Sequence, residues 1–313
     1  MPAIIGLPFD AAEPFDRDKH LAAAPAAGGG DAGASFGVGV TLSPTGEWDE
    51  LTAAALLAEE LGLDAVGFWD HYHAERPEWA MICGWSAYGY LAARTTRIHF
   101  VPMVLCRLNY TLGVLAKESS ILALASGGRF ELGIGAGDYP PEYVAWNQPF
   151  PPAERRIAAL REYVEALREI WGGGLVTFNG DYVKLADAAC TPAPPHPPRV
   201  VAGVGGSRRL IDSAVEYADE LNVYGTERAV AYAQERIAAS GRDVALSVFG
   251  NRDFDTWPDD LPAELDRWRQ LGASRYFLSI GAADDLGARV RDLAAARDEV
   301  NGLALSEAAA GSD

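Results

Sequence analysis

Short runs rich in β-branched and aromatic residues alternate with helical segments eight times between residues 36 and 297. The predicted strands are residues 36–42, 65–69, 98–105, 130–134, 200–204, 220–223, 245–249 and 275–280. The predicted helices are residues 47–61, 78–94, 112–125, 153–171, 208–217, 227–239, 262–271 and 285–297. Alternating strands and helices imply an α/β fold with a parallel sheet and right-handed crossovers. Eight repeats favour closure into a (β/α)8 TIM barrel over an open doubly wound sheet.

The regular alternation breaks between the fourth helix and the fifth strand of the predicted barrel. Residues 176–185 are predicted to form a hairpin that turns at Asn179-Gly180, and residues 192–198 an extended proline-rich linker. Such an insertion typically shapes the mouth of a pocket, and a purely structural flap is the alternative. The barrel domain is predicted at residues 36–300, between tails at 1–35 and 301–313 that are flexible or loosely docked.

Composition excludes several classes of partner and compartment. The formal net charge of −18 argues against nucleic acid and anionic membrane surfaces as partners. The first residues lack a basic region followed by an apolar core, so a secretion signal is not predicted. No apolar run of about 18 residues occurs, so a membrane span is not expected. Its three cysteines, Cys83, Cys106 and Cys190, are unpatterned and indicate a reducing cytoplasm rather than disulfides or a zinc site.

The second predicted strand ends on an acid and an imidazole, Asp70 and His71. Active sites of α/β barrels lie at the carboxyl ends of the strands, and histidine can act as acid, base or hydrogen-bond donor near neutral pH. The alternative is that Asp70 begins a turn and His71 is a solvated loop residue. A metal site is not predicted, because His71 and His73 lack a convincing third ligand nearby.

Glycines stand at the end of the fourth predicted strand and just after it, at Gly133, Gly135 and Gly137, and lead to Asp138. Such glycines let the backbone approach a flat ligand or an anion, although a tight turn between strand and helix explains them equally well. Asp138 is therefore either a second acid–base group or a carboxylate that caps the turn.

A second glycine-rich turn, with Gly203, Gly205 and Gly206, leads into Ser207 and Arg208 at the start of a helix. Unpaired backbone N–H groups at a helix N-terminus suit a phosphate, and local donors of this kind would bind an anion despite the negative net charge. The alternative is an ordinary helix cap beside solvated arginines.

Several segments together resemble the luciferase-like monooxygenase superfamily, and within it the branch that uses the deazaflavin coenzyme F420. They are residues 58–64 (AEELGLD), 69–71 (WDH), 92–98 (AARTTRI), 124–137 (LASGGRFELGIGAG) and 217–220 (YADE). The resemblance runs from residue 36 to about 225, and the 124–137 motif is specific for the superfamily rather than for one flavin. It implies a TIM barrel, usually a homodimer, that holds a flat redox ring at the strand ends.

The resemblance also implies roles for individual residues. His71 matches a proton acceptor of the sugar-phosphate dehydrogenases, Asp138 stands where those enzymes have a glutamate, and Glu75 stands where they have a tryptophan. A non-prolyl cis peptide is expected at Met103-Val104, behind the ring. The implied cofactor contacts are Asp70, Met103, Val104, Cys106, Gly135, Gly137, Gly203, Gly205, Gly206, Ser207 and Arg208, with the phosphate at the turn formed by Gly205, Gly206 and Ser207.

The resulting prediction is an F420-dependent oxidoreductase that moves a hydride between C5 of the deazaflavin and a small organic substrate. His71 and Asp138 are the catalytic candidates, and segments 172–198 and 252–262 are expected to shape the substrate pocket. Two alternatives remain open. One is an FMN-dependent monooxygenase that receives reduced flavin from a partner reductase, and the other is a flavin-binding barrel without turnover.

Overall fold

The computed structural model describes residues 35–42, 47–73, 81–82, 84–250, 257–281 and 285–310, with side chains up to residue 302. The strands are β1 (Gly37–Leu42), β2 (Ala65–Gly67), β3 (His99–Phe100), β4 (Leu105–Cys106), β5 (Leu132–Gly135), β6 (Val176–Asn179), β7 (Lys184–Ala188), β8 (Val200–Gly205), β9 (Glu220–Tyr224), β10 (Ala245–Gly250) and β11 (Arg275–Ile280). The helices are α1 (Trp48–Glu60), α2 (Trp85–Ala92), α3 (Leu112–Ala125), α4 (Pro140–Ala145), α5 (Ala153–Trp171), α6 (Arg208–Ala214), α7 (Glu227–Ser240), α8 (Leu261–Gln270) and α9 (Leu286–Ala310).

One curled parallel sheet forms the predicted barrel, with the strand order β3-β2-β1-β11-β10-β9-β8-β5-β4. The two edge strands of this sheet are β3 and β4. Only residues 101–104 separate them, so they are the two halves of the third predicted strand. Phe100 in β3 also forms a parallel bridge with Phe130, just before β5. The N–H of Phe100 donates to the Arg129 carbonyl at 2.9 Å, and the N–H of Glu131 donates to the Phe100 carbonyl at 3.0 Å. These bonds close the barrel, and the predicted fold class is confirmed.

The third strand leaves regular pairing at residues 101–104, and glycines on both sides make room for it. A Cβ added at Gly67 would lie 2.1 Å from the Val101 carbonyl oxygen, and one at Gly133 would lie 1.8 Å from the Pro102 carbonyl oxygen. Real Cβ atoms do not approach backbone oxygens this closely, so these positions accept only glycine. The Met103-Val104 peptide is cis, as the family resemblance implied.

A small apolar cluster fills part of the barrel interior. Its buried members are Ala65, Val101, Met103, Val201, Phe249 and Phe277. Trp69, Val104 and Tyr224 pack against it from the carboxyl ends of the strands. A larger apolar cluster includes buried side chains from both the sheet and the helices.

Buried charges come together where the strands begin, at the other end of the barrel. The Arg275 guanidinium lies 2.5 Å from Glu131 and 2.8 Å from Glu220. Arg199 lies 3.1 Å from Glu220, and His99 Nδ1 lies 3.0 Å from Glu131. Both carboxylates are almost fully buried. The neighbouring Arg275 and His99 hold the pKa of Glu131 well below its usual range although burial opposes this.

This pairing predicts a defined loss of stability in acid. Because the pKa of Glu131 is depressed in the folded state, its contribution is fully present above the unfolded value of 4.5 and is lost as the pH falls below it. Glu131→Gln is expected to lower the free energy of unfolding by about 3 kcal/mol at pH 7. We expect this difference to shrink between pH 4.5 and pH 3 in urea titrations. A difference that stays constant over that range would contradict the assignment.

Several boundaries differ from the sequence prediction. Helix α2 begins at Trp85 rather than at residue 78, because Gly84 has φ +88° and stands at its N-cap. Helix α9 runs to Ala310, so the predicted C-terminal tail is helical from residue 301 to residue 310. Its alanines and leucines favour a helix without an apolar period. The predicted N-terminal tail up to residue 34, Glu75 and residues 252–256 of segment 252–262 lie outside the described residues.

The predicted insertion is confirmed in its first part, where β6 and β7 pair antiparallel as a two-stranded sheet. Helix α4 was not predicted.

Among the described residues, no helix is both long enough and apolar enough to span a membrane.

Candidate functional site

A cavity of about 470 Å³ opens at the carboxyl ends of the strands. Its volume falls within the range of about 300–1,000 Å³ that is typical of small-molecule sites. Twelve of the thirteen predicted site residues line it: Asp70, His71, Met103, Val104, Cys106, Gly135, Gly137, Asp138, Gly203, Gly205, Gly206 and Ser207. The thirteenth, Arg208, does not. The structure therefore brings four separate sequence motifs to one mouth of the barrel.

Val104 forms part of the cavity wall and sits between two glycines. A Cβ added at Gly135 would lie 2.7 Å from Val104 Cγ2, and one at Gly203 would lie 2.7 Å from Val104 Cγ1. Together with Gly133, these glycines thus make room for the irregular third strand. This close approach is between two parts of the protein, so neither sequence interpretation of the Gly133–Gly137 motif, ligand approach or tight turn, described it fully.

Asp70 is buried at the base of the cavity, and its carboxylate accepts three hydrogen bonds. The donors are the Cys106 N–H at 2.8 Å, Asn109 Nδ2 at 3.1 Å and the Tyr110 hydroxyl at 2.8 Å. Burial raises the pKa of Asp70 above its ordinary value, against the opposing effect of these donors. The carboxylate therefore fixes the segment that follows β4, and neither Asn109 nor Tyr110 was predicted from the sequence.

His71 is paired with a buried carboxylate that the sequence analysis missed. Its Nδ1 lies 2.7 Å from Glu142 Oε2, and Glu142 Oε1 accepts the Tyr72 N–H at 2.5 Å. The Glu142 side chain is 1% exposed, whereas that of His71 is 26% exposed. Because a carboxylate accepts hydrogen bonds, Nδ1 donates to it, and Nε2 is the ring nitrogen that can exchange a proton with a ligand. Glu142 lies on α4, four residues after Asp138.

Asp138 is exposed at the rim of the same cavity. The ring of the next residue, Tyr139, stands perpendicular to the His71 ring at a centroid distance of 6.0 Å. The two predicted acid–base candidates thus line one cavity, and Asp138 is more open to solvent than the histidine.

Cys106 lines the cavity as a thiol. Its Sγ lies 2.8 Å from the Tyr143 hydroxyl, which donates to Asn109 Oδ1 at 2.6 Å. Burial raises the pKa of Cys106 to about 11, so the group is protonated at neutral pH and unsuited to nucleophilic attack. We assign it to packing beside the cavity rather than to chemistry.

The second glycine turn leaves its backbone open to the cavity. Gly205 has φ +53°, and a Cβ at Gly206 would meet no atom within 4 Å. Ser207 caps α6, since its side chain accepts from the Leu210 N–H at 3.4 Å. Arg208 lies instead over the ring of Tyr232 at 4.6 Å and lines a neighbouring cavity. That Arg208 contacts the cofactor stays a prediction, and the first turn of α6 carries its side chain towards α7 rather than into the main cavity.

Arg156 is the cation that lines the main cavity among the described residues. Its Nη1 donates to the Pro151 carbonyl at 2.6 Å, and its guanidinium stacks on Phe150 at 4.1 Å. Its Nε is buried and has no hydrogen-bond partner among the described residues. Sequence reasoning missed it because Arg156 lies among the charged residues of the first turn of α5, where an exposed side chain is expected. In the same described ranges, no three side chains are arranged to hold a metal ion.

Comparison with known proteins gives concordant results. The family model of luciferase-like monooxygenases matches residues 32–298. An F420-dependent glucose-6-phosphate dehydrogenase of Amycolatopsis mediterranei is 34% identical over 163 residues, which are 50% of this chain and 48% of that protein. The match thus covers about half the length of that dehydrogenase.

Solved structures show the same architecture. An F420-dependent secondary alcohol dehydrogenase, in complex with an F420-acetone adduct, superposes with a TM-score of 0.70 at 17% identity, over 81% of this chain and 96% of that one. The EDTA monooxygenase of Chelativorans sp. also superposes with a TM-score of 0.70, at 13% identity, over 88% of this chain and 95% of that one. Likeness at these identities concerns the fold alone.

Proposed function

The chain belongs to the luciferase-like monooxygenase family, and on that basis we propose that it is an F420-dependent oxidoreductase. The proposed reaction moves a hydride between the deazaflavin C5 and a small organic substrate. The observation that carries the proposal is the His71–Glu142 pair, which stands in the same cavity as the Met103-Val104 wall. The relatives named as F420-dependent glucose-6-phosphate dehydrogenases favour the deazaflavin over other cofactors.

The residues that line the main cavity are suited to binding the F420 coenzyme. Met103, Val104 and Phe249 give the cavity an apolar wall suited to a flat ring. The orphaned Nε of Arg156 and the open backbone at Gly206 offer donors to a phosphate. Both lie on the same cavity, so a ring on the wall and a phosphate at the turn can belong to one ligand.

When bound, the coenzyme would supply the carbon that gives or takes the hydride. His71 would take up or release the accompanying proton at Nε2, while Glu142 holds Nδ1 and so fixes the ring orientation. The buried carboxylate also stabilises the imidazolium that forms when His71 takes the proton. Asp138 is the second proposed proton carrier. Holding both reactants against one wall supplies much of the remaining rate enhancement.

An FMN-dependent monooxygenase is the second candidate, because the family model that matches residues 32–298 is that of the luciferase-like monooxygenases. In that case a partner reductase would supply the reduced flavin. A barrel that binds flavin without turnover is the third candidate.

Titration of the purified chain with F420 and with FMN, followed by cofactor fluorescence, tests the proposal. We expect F420 to bind at least about tenfold tighter than FMN, a difference of about 1.4 kcal/mol. Tighter binding of FMN would contradict the proposal and favour the monooxygenase.

A turnover assay completes the test, with each reduced and oxidised cofactor and a panel of alcohols, aldehydes and unsaturated carbonyl compounds. We expect turnover that depends on F420. Binding of a cofactor without any turnover over the panel would favour the binding protein.

A further inference from the structure

A second cavity, of about 240 Å³, lies between α6 and α7 beside the main one. It is lined by Gly206, Arg208, Ile211, Thr226, Arg228, Ala229 and Tyr232. Gly206 lines both cavities, so the two meet at the glycine turn. A ligand that reaches this turn from the main cavity can therefore continue into the second one.

Two guanidinium groups in this cavity lack a neutralising partner. Neither Arg208 nor Arg228 takes part in any of the ion pairs found in the part of the chain that the structure describes. Two acids on the same helices are already paired, since Asp212 lies 2.8 Å from Arg236 and Glu227 lies 2.8 Å from Arg267. Glu235, further along α7, does not line the cavity. In a chain of net charge −18, two unneutralised arginines at one cavity form a local positive site.

The positions of both arginines strengthen this local field. Arg228 is the second residue of α7, where the positive end of the helix dipole disfavours a cation. Arg208 is held over the Tyr232 ring, and the Tyr232 hydroxyl donates to Asp212 at 2.8 Å. An anion bound in this cavity would neutralise both arginines and offset the unfavourable dipole at Arg228.

We propose that the second cavity binds the anionic groups that follow the phosphate in the side chain of the cofactor. This inference rests on the proposed function, because it requires the ring in the main cavity and the phosphate at Gly206. Arg208 and Arg228 bind carboxylate or phosphate oxygens beyond the turn, for which the planar guanidinium fork is suited. Arg208 thus contacts the cofactor beyond the phosphate turn, outside the ring-binding cavity.

The double variant R208Q/R228Q of the full chain tests the inference. Its affinity is measured by fluorescence titration for F420 and for the deazariboflavin fragment of F420, which lacks the phosphate and the anionic tail. We expect F420 to bind about tenfold or more weakly than to the wild type, with a smaller dependence on salt concentration. Binding of the neutral fragment is expected to be unchanged.

Arg209→Gln is the matched control. Arg209 adjoins Arg208 in the sequence but pairs with Glu154 at 3.2 Å and lines neither cavity. We expect its F420 affinity to stay within about twofold of the wild type, because exposed ion pairs contribute little. An equal loss of F420 affinity in Arg209→Gln would show that the effect depends only on net charge and would overturn the inference. Unchanged F420 affinity in the double variant would overturn it as well.

Calorimetry with inorganic pyrophosphate, in the absence of any cofactor, separates the inference from the proposed function. We expect pyrophosphate to bind the double variant about tenfold or more weakly than the wild type, since the donors at Gly206 and Arg156 remain. If this result holds while the wild type fails to bind F420, the cofactor assignment fails and the anion site stands. Pyrophosphate binding of equal affinity in the two proteins, or none in the wild type, would overturn the anion site whatever the cofactor is.

Discussion

His71→Ala is expected to lower kcat by about 10²- to 10⁴-fold, the usual contribution of a positioned proton-transfer group. The cofactor Kd should stay within about threefold, because the apolar wall and the glycine turn are untouched. Steady-state turnover and fluorescence titration of the same preparation measure both quantities. Full turnover in the variant would remove His71 from the mechanism.

Glu142→Gln separates a positioning role from a structural one. The amide keeps the size of the side chain but loses the negative charge that faces Nδ1. We expect kcat to fall about tenfold in the wild-type background, and to change no further when His71→Ala is already present. Such non-additivity is the signature of a residue that acts through the histidine. Additive losses in the double variant would show instead that Glu142 only supports α4.

Gly133→Ala is expected to have the largest effect on stability. The added Cβ would lie 1.8 Å from the Pro102 carbonyl oxygen, which belongs to backbone and has no flexible side chain to move aside. Overpacking of a core usually costs about 1–3 kcal/mol, and a clash with backbone lies at or beyond the upper end. We expect a loss of about 3 kcal/mol or more in urea unfolding, or insoluble protein on expression.

Gly113→Ala provides the control for that experiment. Gly113 is exposed in the first turn of α3, and a Cβ there would meet no atom within 4 Å. Alanine favours a helix over glycine by about 1 kcal/mol, so this variant should be as stable as the wild type or slightly more so. Wild-type stability in Gly133→Ala as well would show that the third strand does not bulge towards β5.

Much of the fold could be predicted because the repeating pattern is long and strong. Strand β11 at Arg275–Ile280 and helices α3 and α5 have the predicted boundaries. Glycines after both helices mark where they end, at Gly127 and Gly172, and the β-rich composition of residues 275–280 marks the strand. The third strand was predicted as one run at 98–105, whereas β3 and β4 are two short pieces. Its apolar residues satisfy a strand pattern even where the backbone turns away from its neighbours.

The site was predictable where an ionisable side chain comes directly after a predicted strand, as Asp70 and His71 do. Glu142 was missed because α4 has six residues, too few to show a helical period, and its carboxylate meets His71 only after folding. The role of Gly135 was predicted incompletely for a similar reason. Val104, which packs against Gly135, is 31 positions earlier in the chain, and no local sequence pattern indicates that the two residues are in contact.

The ion cluster around Arg275 affects how reactants reach the other end of the barrel. Because its charged side chains fill the end where the strands begin, both reactants of the proposed reaction approach the cavity from the carboxyl ends of the strands. A molecule that rests on Met103 and Val104 in that reaction is then covered by a co-reactant that arrives from the same side.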